Sequence, residues 1–96
     1  MPAYVIVDIE VTDPQQYEEY KRMAPPLVAL YGGKYLARGG QVEVLEGDWS
    51  PKRLVILEFE GIEQARTWLE SPEYAAARRL RHQTTTSKMV VVEGLK

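Results

Sequence analysis

The 96-residue chain contains no cysteine, a single histidine and a single phenylalanine. Without cysteine it can form neither a disulfide nor a thiolate metal site, and it has no thiol nucleophile. The single histidine, His82, rules out a two-histidine metal site within one chain. The composition therefore predicts no bound metal.

The chain also lacks an excess of one charge and any long apolar run. Its 12 basic and 14 acidic residues are interspersed and give a net charge of −2, so no basic field exists to attract nucleic acid or an anionic membrane. No run approaches the ~20 apolar residues that span a bilayer. The N-terminus reaches Asp8 without the features of a signal peptide. We expect a cytoplasmic protein that binds neither nucleic acid nor membrane.

Motifs of nucleotide and hydrolase chemistry are absent as well. The run Gly32-Gly33-Lys34 lacks the spacing and the following serine or threonine of a phosphate-binding loop. There is no G-x-S-x-G elbow, no H-E-x-x-H helix and no dinucleotide fingerprint. The sequence therefore implies no cofactor, and it names no reaction.

Alternating strand and helix patterns fill residues 1–96, which we interpret as a single domain. Pro25 and Pro26 remove two helix donors, so the first helix is predicted in two pieces bent at that point. The second helix is also predicted in two pieces, the later one restarting at Ser71-Pro72. The predicted strands are 3–11, 34–46, 53–60 and 89–92, and the predicted helices are 14–23, 26–31, one from near 61 and one from 72 to 82 or 83, with a linker at 84–87.

The first and third strands each have one wholly apolar face and one face that mixes apolar side chains with carboxylates. The order β-α-β-β-α-β predicts a four-stranded antiparallel sheet with helices on one face. The helices cannot cover the second face, where an apolar patch would stay exposed. We therefore expect a homodimer that packs two such faces together; the patch comprises Tyr4, Ile6, Leu54 and Ile56.

Two glycine pairs punctuate the stretch 31–49. Gly32 is predicted to end the first helix. Gly39-Gly40 is predicted to form a β-bulge that re-aims the neighbouring Arg38. Because one extra residue reverses the alternation of a strand, both faces of the sheet remain open to Arg38. Residues 47–52 are predicted to form a hairpin loop by their composition.

The segments YGGKYLARGG, VEVLEGDW-x-P-x-RLVILEF and SPEY, followed by Arg81, resemble the domain-of-unknown-function 1330 family. The resemblance runs from Tyr4 to Gly94 with the three motifs in order. It implies a ferredoxin-like α+β subunit and a dimeric α/β barrel, but no reaction. The chain departs from the family pattern at Gly61, where a hydroxyl or acidic helix cap is more usual. The family's recurrent positions fall on Tyr35, Arg38, Gly39, Gly40, Glu46, Trp49, Glu58, Tyr74 and Arg81.

Arg38 and Glu58 are the candidate catalytic residues. In the functional interpretation, Arg38 anchors a carboxylate, phosphate or enolate oxygen and Glu58 is a base or a hydrogen-bond acceptor. In the structural interpretation, Arg38 forms an internal ion pair with nearby acids such as Asp8, Glu10 or Glu58. Carboxylates at the rim of the sheet can also simply discourage edge pairing.

Four further residues are candidate ligand-binding groups. Tyr35 and Tyr74 can place hydroxyl groups in a pocket, and Trp49 is either a lid over a cavity or a cover for a sheet edge. Arg81 lies in a basic helix end, where a solvated position is usual, and the family match alone suggests that it points inward. His82 and the arginines beside it are read as solvated.

Two interpretations of function remain. In the first, the cavity of the barrel binds a small acidic or oxygenated molecule, and the protein is a candidate cofactor-independent enzyme. In the second, the protein is a non-enzymatic homodimeric module whose polar core is satisfied internally. A pocket of a few hundred Å³ with convergent polar groups would favour the first, and a cavity filled by side chains would favour the second.

Overall fold

A computed structural model describes residues 1–95 of the chain. Four strands and three helices follow one another as β1-α1-β2-β3-α2-α3-β4. Within these described residues, no helix is long and apolar enough to cross a bilayer. The elements are β1 Ala3–Val11, α1 Pro14–Leu30, β2 Lys34–Arg38, β3 Arg53–Phe59, α2 Ile62–Glu70, α3 Ala75–Thr84 and β4 Thr85–Glu93.

The four strands form one antiparallel sheet in the order β2-β3-β1-β4. The helices cover one face of this sheet, because the buried side chains of β1 and β3 alternate with exposed or half-buried ones. This arrangement confirms the predicted α+β, ferredoxin-like subunit. The buried face comprises Ala3, Val5, Val7, Ile9, Val55, Leu57 and Phe59.

The other side of the sheet, which we call the open face, carries the even-numbered side chains of β1, β3 and β4. Ile6 lies at its centre, opposite Ile56 on β3 and Val90 on β4. Val90 is 60% exposed and Val92 is 50% exposed. The four residues of the predicted patch are half-buried in one subunit, and the exposed Val90 and Val92 of β4 extend it; the predicted four are Tyr4, Ile6, Leu54 and Ile56.

Helix α1 begins and ends where the sequence predicts. The Asp13 side chain accepts a hydrogen bond of 3.2 Å from the Gln16 amide, which caps the first turn. Gly32 adopts a φ of 78°, and the amides of Gly32 and Gly33 bond back to the carbonyls of Ala29 and Val28.

The predicted break at Pro25-Pro26 is wrong, because α1 continues through both prolines. Pro25 has no N–H to donate to the carbonyl four residues earlier, which belongs to Lys21. The guanidinium of Arg38 takes that place and donates to the Lys21 carbonyl oxygen at 2.6 Å. The buried stripe of α1 also packs without interruption across the prolines. It comprises Tyr17, Tyr20, Ala24 and Val28.

A double-mutant cycle would test the role of Arg38 as a substitute helix donor. We expect Arg38→Ala to lower the free energy of unfolding by about 1.5–3 kcal/mol, because a charged donor is lost from a backbone carbonyl. In a Pro25→Ala background, the restored amide of residue 25 bonds to Lys21, so Arg38→Ala should cost less than about 0.5 kcal/mol. Denaturant unfolding at one protein concentration measures both values.

Pro26→Ala provides the matched control for this cycle. It restores a backbone donor to the Arg22 carbonyl, whereas the Lys21 carbonyl still depends on Arg38 for its hydrogen bond. The cost of Arg38→Ala should therefore stay unchanged in that background. An equal reduction in both proline variants would show that Arg38 does not compensate for Pro25.

Three predicted boundaries in the strands need correction. The β-bulge lies at Leu36, between the pairs Tyr35–Leu57 and Ala37–Ile56, and not at Gly39-Gly40. Strand β2 ends at Arg38, since Gly39 turns the chain out of the sheet with a φ of 72°. The predicted linker at 84–87 does not exist. Strand β4 begins directly after α3, because all nine of its residues pair with β1.

The second helical region is divided in two, as predicted. Helix α2 follows Gly61, which supplies no side-chain cap. The Ser71 hydroxyl accepts from the Tyr74 amide at 3.1 Å, so the predicted cap is present. Residues 72–74 nevertheless form turns, and α3 proper begins only at Ala75.

Candidate functional site

The six predicted ligand-binding residues do not form one site. Tyr35, Arg38, Tyr74 and Arg81 lie on the helix side of the sheet, whereas Glu58 and Trp49 belong to the open face. The bulge at Leu36 explains this division. It reverses the alternation of β2, so that Tyr35 and Arg38, three residues apart, both face the helices.

A small cavity lies between α1, the sheet and the second helical region. Its volume is about 20 Å³, which is room for about one water molecule. Apolar core residues and Trp68 form part of its wall. Its polar lining consists of Tyr17, Tyr20, Tyr35, Arg38, Arg53 and Arg81.

Arg81 is the most unusual of these residues, because only 4% of it is exposed. One terminal nitrogen donates to the Ser87 hydroxyl at 2.9 Å, and its buried Nε has no hydrogen-bond partner. The ion pairs found within residues 1–95 join Lys21 to Glu18 and Arg22 to Glu19. Arg81 is therefore a buried cation without a carboxylate from the described part of its own chain. Burial of a charge in this state is costly.

Tyr20 and Tyr74 form a buried pair whose hydroxyl oxygens lie 2.6 Å apart. Burial raises the pKa of Tyr20 well above its ordinary value, and the neighbouring Tyr74 raises it further. The phenol therefore stays protonated at neutral pH. The two hydroxyl groups carry two protons, and only one of these lies in the hydrogen bond between the two oxygens. Either hydroxyl can be the donor in this bond; when Tyr74 donates, the proton of Tyr20, which lines the cavity, is free for another acceptor.

Two more arginines lie at the mouth of the cavity. The Arg38 guanidinium sits 4.9 Å from the centre of the Tyr35 ring, and Arg53 Nε donates to the Tyr17 hydroxyl at 3.2 Å. Burial raises the pKa of Tyr35, although nearby Arg38 opposes this effect. Gly39 has a φ of 72°, which disfavours any side chain there, and a Cβ would also force the Arg53 guanidinium to move.

The lining of the cavity thus offers many donors and few acceptors. The indole Nε1 of Trp68 is a second buried donor without a partner, and the Trp68 side chain lines this cavity and also a groove between β4 and α2. No aspartate, glutamate or histidine is among the lining residues. Within residues 1–95, no three such side chains are placed to hold a metal ion either. The cavity is suited to an acceptor atom that carries negative charge.

Glu58 and Trp49 lie elsewhere. Glu58 pairs with Tyr4 and Lys34 across the open face, and the Trp49 indole donates to Asp8 at 2.9 Å on the same side. The hypothesis that Arg38 pairs with Asp8, Glu10 or Glu58 is therefore wrong for one subunit, because the sheet separates them. Within one subunit, the sheet also keeps Arg38 and Glu58 from facing the same cavity.

Tyr17, Tyr20 and Arg53 line the cavity but are not among the candidates that the sequence suggests. The position of Arg53 could have been inferred from the sequence. Arg53 has the same parity as Val55, Leu57 and Phe59, so it is a cation that heads a wholly apolar strand face. The solvated interpretation of the helix end holds for Arg79 and His82, which are exposed, but Arg81 points inward.

Residues 2–95 match the model of a family described as a domain of unknown function, DUF1330. The chain belongs to this family. No curated protein matches the chain in sequence.

Solved structures similar to this DUF1330 chain share its fold at low identity. A protein of unknown function from Rhodopseudomonas palustris is 20% identical, with a TM-score of 0.78 over 99% of this chain and 83% of that one. SnoaB from Streptomyces nogalater, a cofactor-independent oxygenase, is 11% identical, with a TM-score of 0.67 over 99% and 94%. A dimeric ferredoxin-like protein of unknown function from Bacteroides fragilis is 16% identical, with a TM-score of 0.66 over 97% and 96%.

Proposed function

We propose that the cavity between the helices and the sheet binds the acidic group of a small organic molecule. The observation that carries the proposal is Arg81, a buried guanidinium whose Nε has no hydrogen-bond partner and which forms no ion pair with a carboxylate of residues 1–95. Trp68, whose buried Nε1 has no partner, and the hydroxyl of Tyr20 belong to residues that line the same cavity, and both can serve as uncharged donors. A carboxylate or another oxyanion would satisfy these donors and neutralise the cation.

A trapped water is the plainest competing occupant, since the cavity has room for one. Water can accept hydrogen bonds from two of the donors, but it brings no charge. The Arg81 cation would then stay uncompensated in a buried position. An anion would accept hydrogen bonds from the buried donors and would also neutralise the Arg81 cation. The charge of the cavity therefore favours an acid over water.

The volume of the cavity limits how the acid binds. About 20 Å³ admits little more than a single oxygen atom. The rest of the molecule would lie at the mouth, where Arg38 and Arg53 are stacked near Tyr35 and Tyr17. Long arginine side chains can swing aside at such a mouth, and aromatic rings beside them favour a flat ligand.

An enzymatic role has weaker support than anion binding. The lining residues can bind and stabilise negative charge, but none of them is a carboxylate or histidine that could abstract a proton. SnoaB is described as a cofactor-independent oxygenase, and its likeness to this chain at 11% identity is an analogy of fold alone. Glu58 could act only on a molecule bound at the open face.

We propose in addition that the protein is a homodimer in which two open faces pack together as a barrel. The apolar centre of the open face is only half-buried in one subunit, with the exposed Val90 and Val92 beside it, and the Bacteroides fragilis neighbour is described as dimeric. Glu58 and Trp49 would then lie inside or at the rim of the barrel. If the cavity holds water only, the protein is a non-enzymatic homodimeric module.

Proton–nitrogen NMR tests anion binding directly, because two tryptophans give two indole signals. Benzoate should shift the Trp68 Nε1–H signal downfield and leave Trp49 unchanged, since only Trp68 lines the cavity. A Trp49→Phe variant assigns the two signals. Methyl benzoate, which has the same ring and no charge, should give at most a small shift.

Arg81→Met should weaken benzoate binding by about 10- to 100-fold, which corresponds to about 1.5–3 kcal/mol for a charged hydrogen bond. Arg79→Met on the same helix is the matched control and should bind as the wild type does. In the absence of benzoate, Arg81→Met should unfold no more easily than the wild type, because an unpaired buried charge is removed. Equal shifts with methyl benzoate, or unchanged binding in Arg81→Met, would contradict the proposal.

A further inference from the structure

An open groove lies at the junction of α2 and α3, where the two helices and the turn between them form its walls. Its volume is about 300 Å³, at the lower end of the roughly 300–1,000 Å³ that is typical of small-molecule sites. None of the described residues lines both this groove and the polar cavity. We call it the basic groove; its lining includes Leu69, Glu70, Ala75, Arg78, Arg79 and His82.

The basic side chains of the groove lie on one face of α3. Arg78 and Arg79 follow Ala75 by three and four residues, and they precede His82 by four and three. Residues at these spacings are neighbours on a helix surface. Ala75 has only a methyl group, so the first turn of this face leaves room beside the longer side chains. The helix therefore brings two guanidinium groups and an imidazole to one open space.

The two arginines of the groove have few partners of their own. Arg78 is half-buried, and its buried Nε has no hydrogen-bond partner. The ion pairs found within residues 1–95 include neither Arg78 nor Arg79. A guanidinium carries five N–H donors in a planar fork that matches carboxylate and phosphate oxygens. Both groups are therefore available to an anion.

The local charge of the groove is positive, although the whole chain has a net charge of −2. Among the lining residues that the structure describes, Glu70 is the one carboxylate. Partial loss of hydration lowers the pKa of His82, and the positive charges of Arg81 and Arg78 lower it further. With His82 protonated, three cations and one carboxylate give the lining a charge of +2. A bound dianion would balance this charge.

We propose that the basic groove binds the phosphate group of a small phosphate monoester. Such a phosphate is mostly a dianion at neutral pH, because its second pKa is about 6. The Arg78 and Arg79 guanidinium groups would donate to its oxygens, and charge-assisted bonds of this kind are the strong ones. Leu69 offers apolar surface to the organic part of the ester. The inference depends neither on the cavity nor on the homodimer.

His82 provides a direct probe, because it is the single histidine of the chain. Phenyl phosphate, titrated at about pH 7.5 where it is mainly a dianion, should shift the His82 Cε1–H proton signal downfield until the groove is saturated. The cause is the added negative charge, which favours the protonated imidazole and raises the pKa of His82. Sodium chloride at the same ionic strength is the control for screening. A shift that does not saturate, or that chloride reproduces, would overturn the proposal.

Three arginine variants locate the binding. Arg78→Met and Arg79→Met should each weaken phenyl phosphate binding by about 10-fold or more, because each removes charged hydrogen bonds. Arg66→Met is the matched control, since Arg66 is exposed on α2 and does not line the groove. It should bind as the wild type does. Wild-type affinity in both Arg78→Met and Arg79→Met, or an equal loss in Arg66→Met, would contradict the proposal.

A fourth variant should act in the opposite direction. Glu70→Gln removes the carboxylate from the lining, so phenyl phosphate should bind about 2- to 5-fold more tightly, as expected for an exposed charge pair. Weaker binding in this variant would show that the ligand is not held as an anion beside Glu70.

The source of the phosphate is distinguished by two further ligands. Phenyl phosphate should bind at least about threefold more tightly than inorganic phosphate, because its ring covers apolar surface. Equal affinities would overturn the assignment to an ester. Vesicles that contain phosphatidic acid should not co-sediment with the protein. Co-sedimentation that Arg78→Met abolishes would overturn a soluble ligand in favour of a lipid headgroup.

The two tests of anion binding use separate signals, so their failures can be told apart. The Trp68 indole reports on the cavity, and the His82 imidazole reports on the basic groove. Arg79→Met should leave the effect of benzoate on Trp68 unchanged while it weakens the effect of phenyl phosphate on His82. A saturable shift of His82 without any response of Trp68 to benzoate would support the groove and contradict the cavity proposal alone.

Discussion

Ile6→Lys is expected to convert the protein from a dimer to a monomer of 11.0 kDa. Ile6 occupies the centre of the open face, with Ile56 on one neighbouring strand and Val90 on the other. In the proposed dimer its side chain would be buried among apolar groups of both subunits. A lysine there would lose its hydration without gaining a partner. We expect dissociation to be favoured by at least about 4 kcal/mol, or about 1,000-fold in the dimer dissociation constant.

Sedimentation over a range of protein concentrations measures this change. Leu30→Lys is the matched control, because Leu30 is 61% exposed at the end of α1 and lies away from the open face. That variant should sediment as the wild type does. Far-UV circular dichroism should show that Ile6→Lys remains folded, since position 6 is not part of the buried face. A folded Ile6→Lys variant that stays dimeric would place the dimer interface elsewhere.

Trp68→Ala should lower the free energy of unfolding by about 3–5 kcal/mol. Trp68 is among the largest fully buried side chains of the described residues. Its ring lies 5.3 Å from that of Phe59 and 4.5 Å from that of Tyr74, so it connects the sheet to the turn before α3. Its removal would leave a hole beside the polar cavity, and the surrounding strands and helices could close it only in part.

Denaturant unfolding at one fixed protein concentration would measure the effect of Trp68→Ala. Leu30→Ala truncates an exposed side chain and should change the free energy of unfolding by less than about 0.5 kcal/mol. A loss of less than about 1 kcal/mol in Trp68→Ala would mean that the aromatic layer does not hold the second helical region in place.

Local patterns were enough to predict the fold. Strand β1 was predicted at its observed bounds because strict alternation of β-branched residues is a strong signal. The Asp13 cap and the Gly32 stop of α1 were predicted by the chemistry of helix ends, which depends on a few adjacent residues. The free apolar side of the sheet followed from the same alternation.

The errors arose where distant residues decide the local structure. The helix continues through Pro25 because Arg38, from another element, donates to the carbonyl that the proline cannot reach. The bulge at Leu36 has no glycine to mark it, and it alone decides that Arg38 faces the helices and not Glu58. The early start of β4 depends on its pairing with β1. A prediction from short stretches of sequence cannot take such distant partners into account.

The composition of the cavity lay beyond sequence patterns for a similar reason. Arg81 comes from the last helix, Tyr20 from the first and Arg53 from a strand between them. Each residue has an ordinary explanation in its own element. Their functional interest arises only because all three line one cavity that has no acidic residue in its lining.

The bond between Arg38 and the Lys21 carbonyl also has a consequence for how the chain folds. A helix that contains two prolines in its interior has little tendency to form by itself. The hydrogen bond to the Lys21 carbonyl comes from Arg38, 17 positions later in the chain, at the end of β2. Helix α1 can therefore be completed only after β2 has docked beside it, so its second half belongs to the late, non-local part of folding.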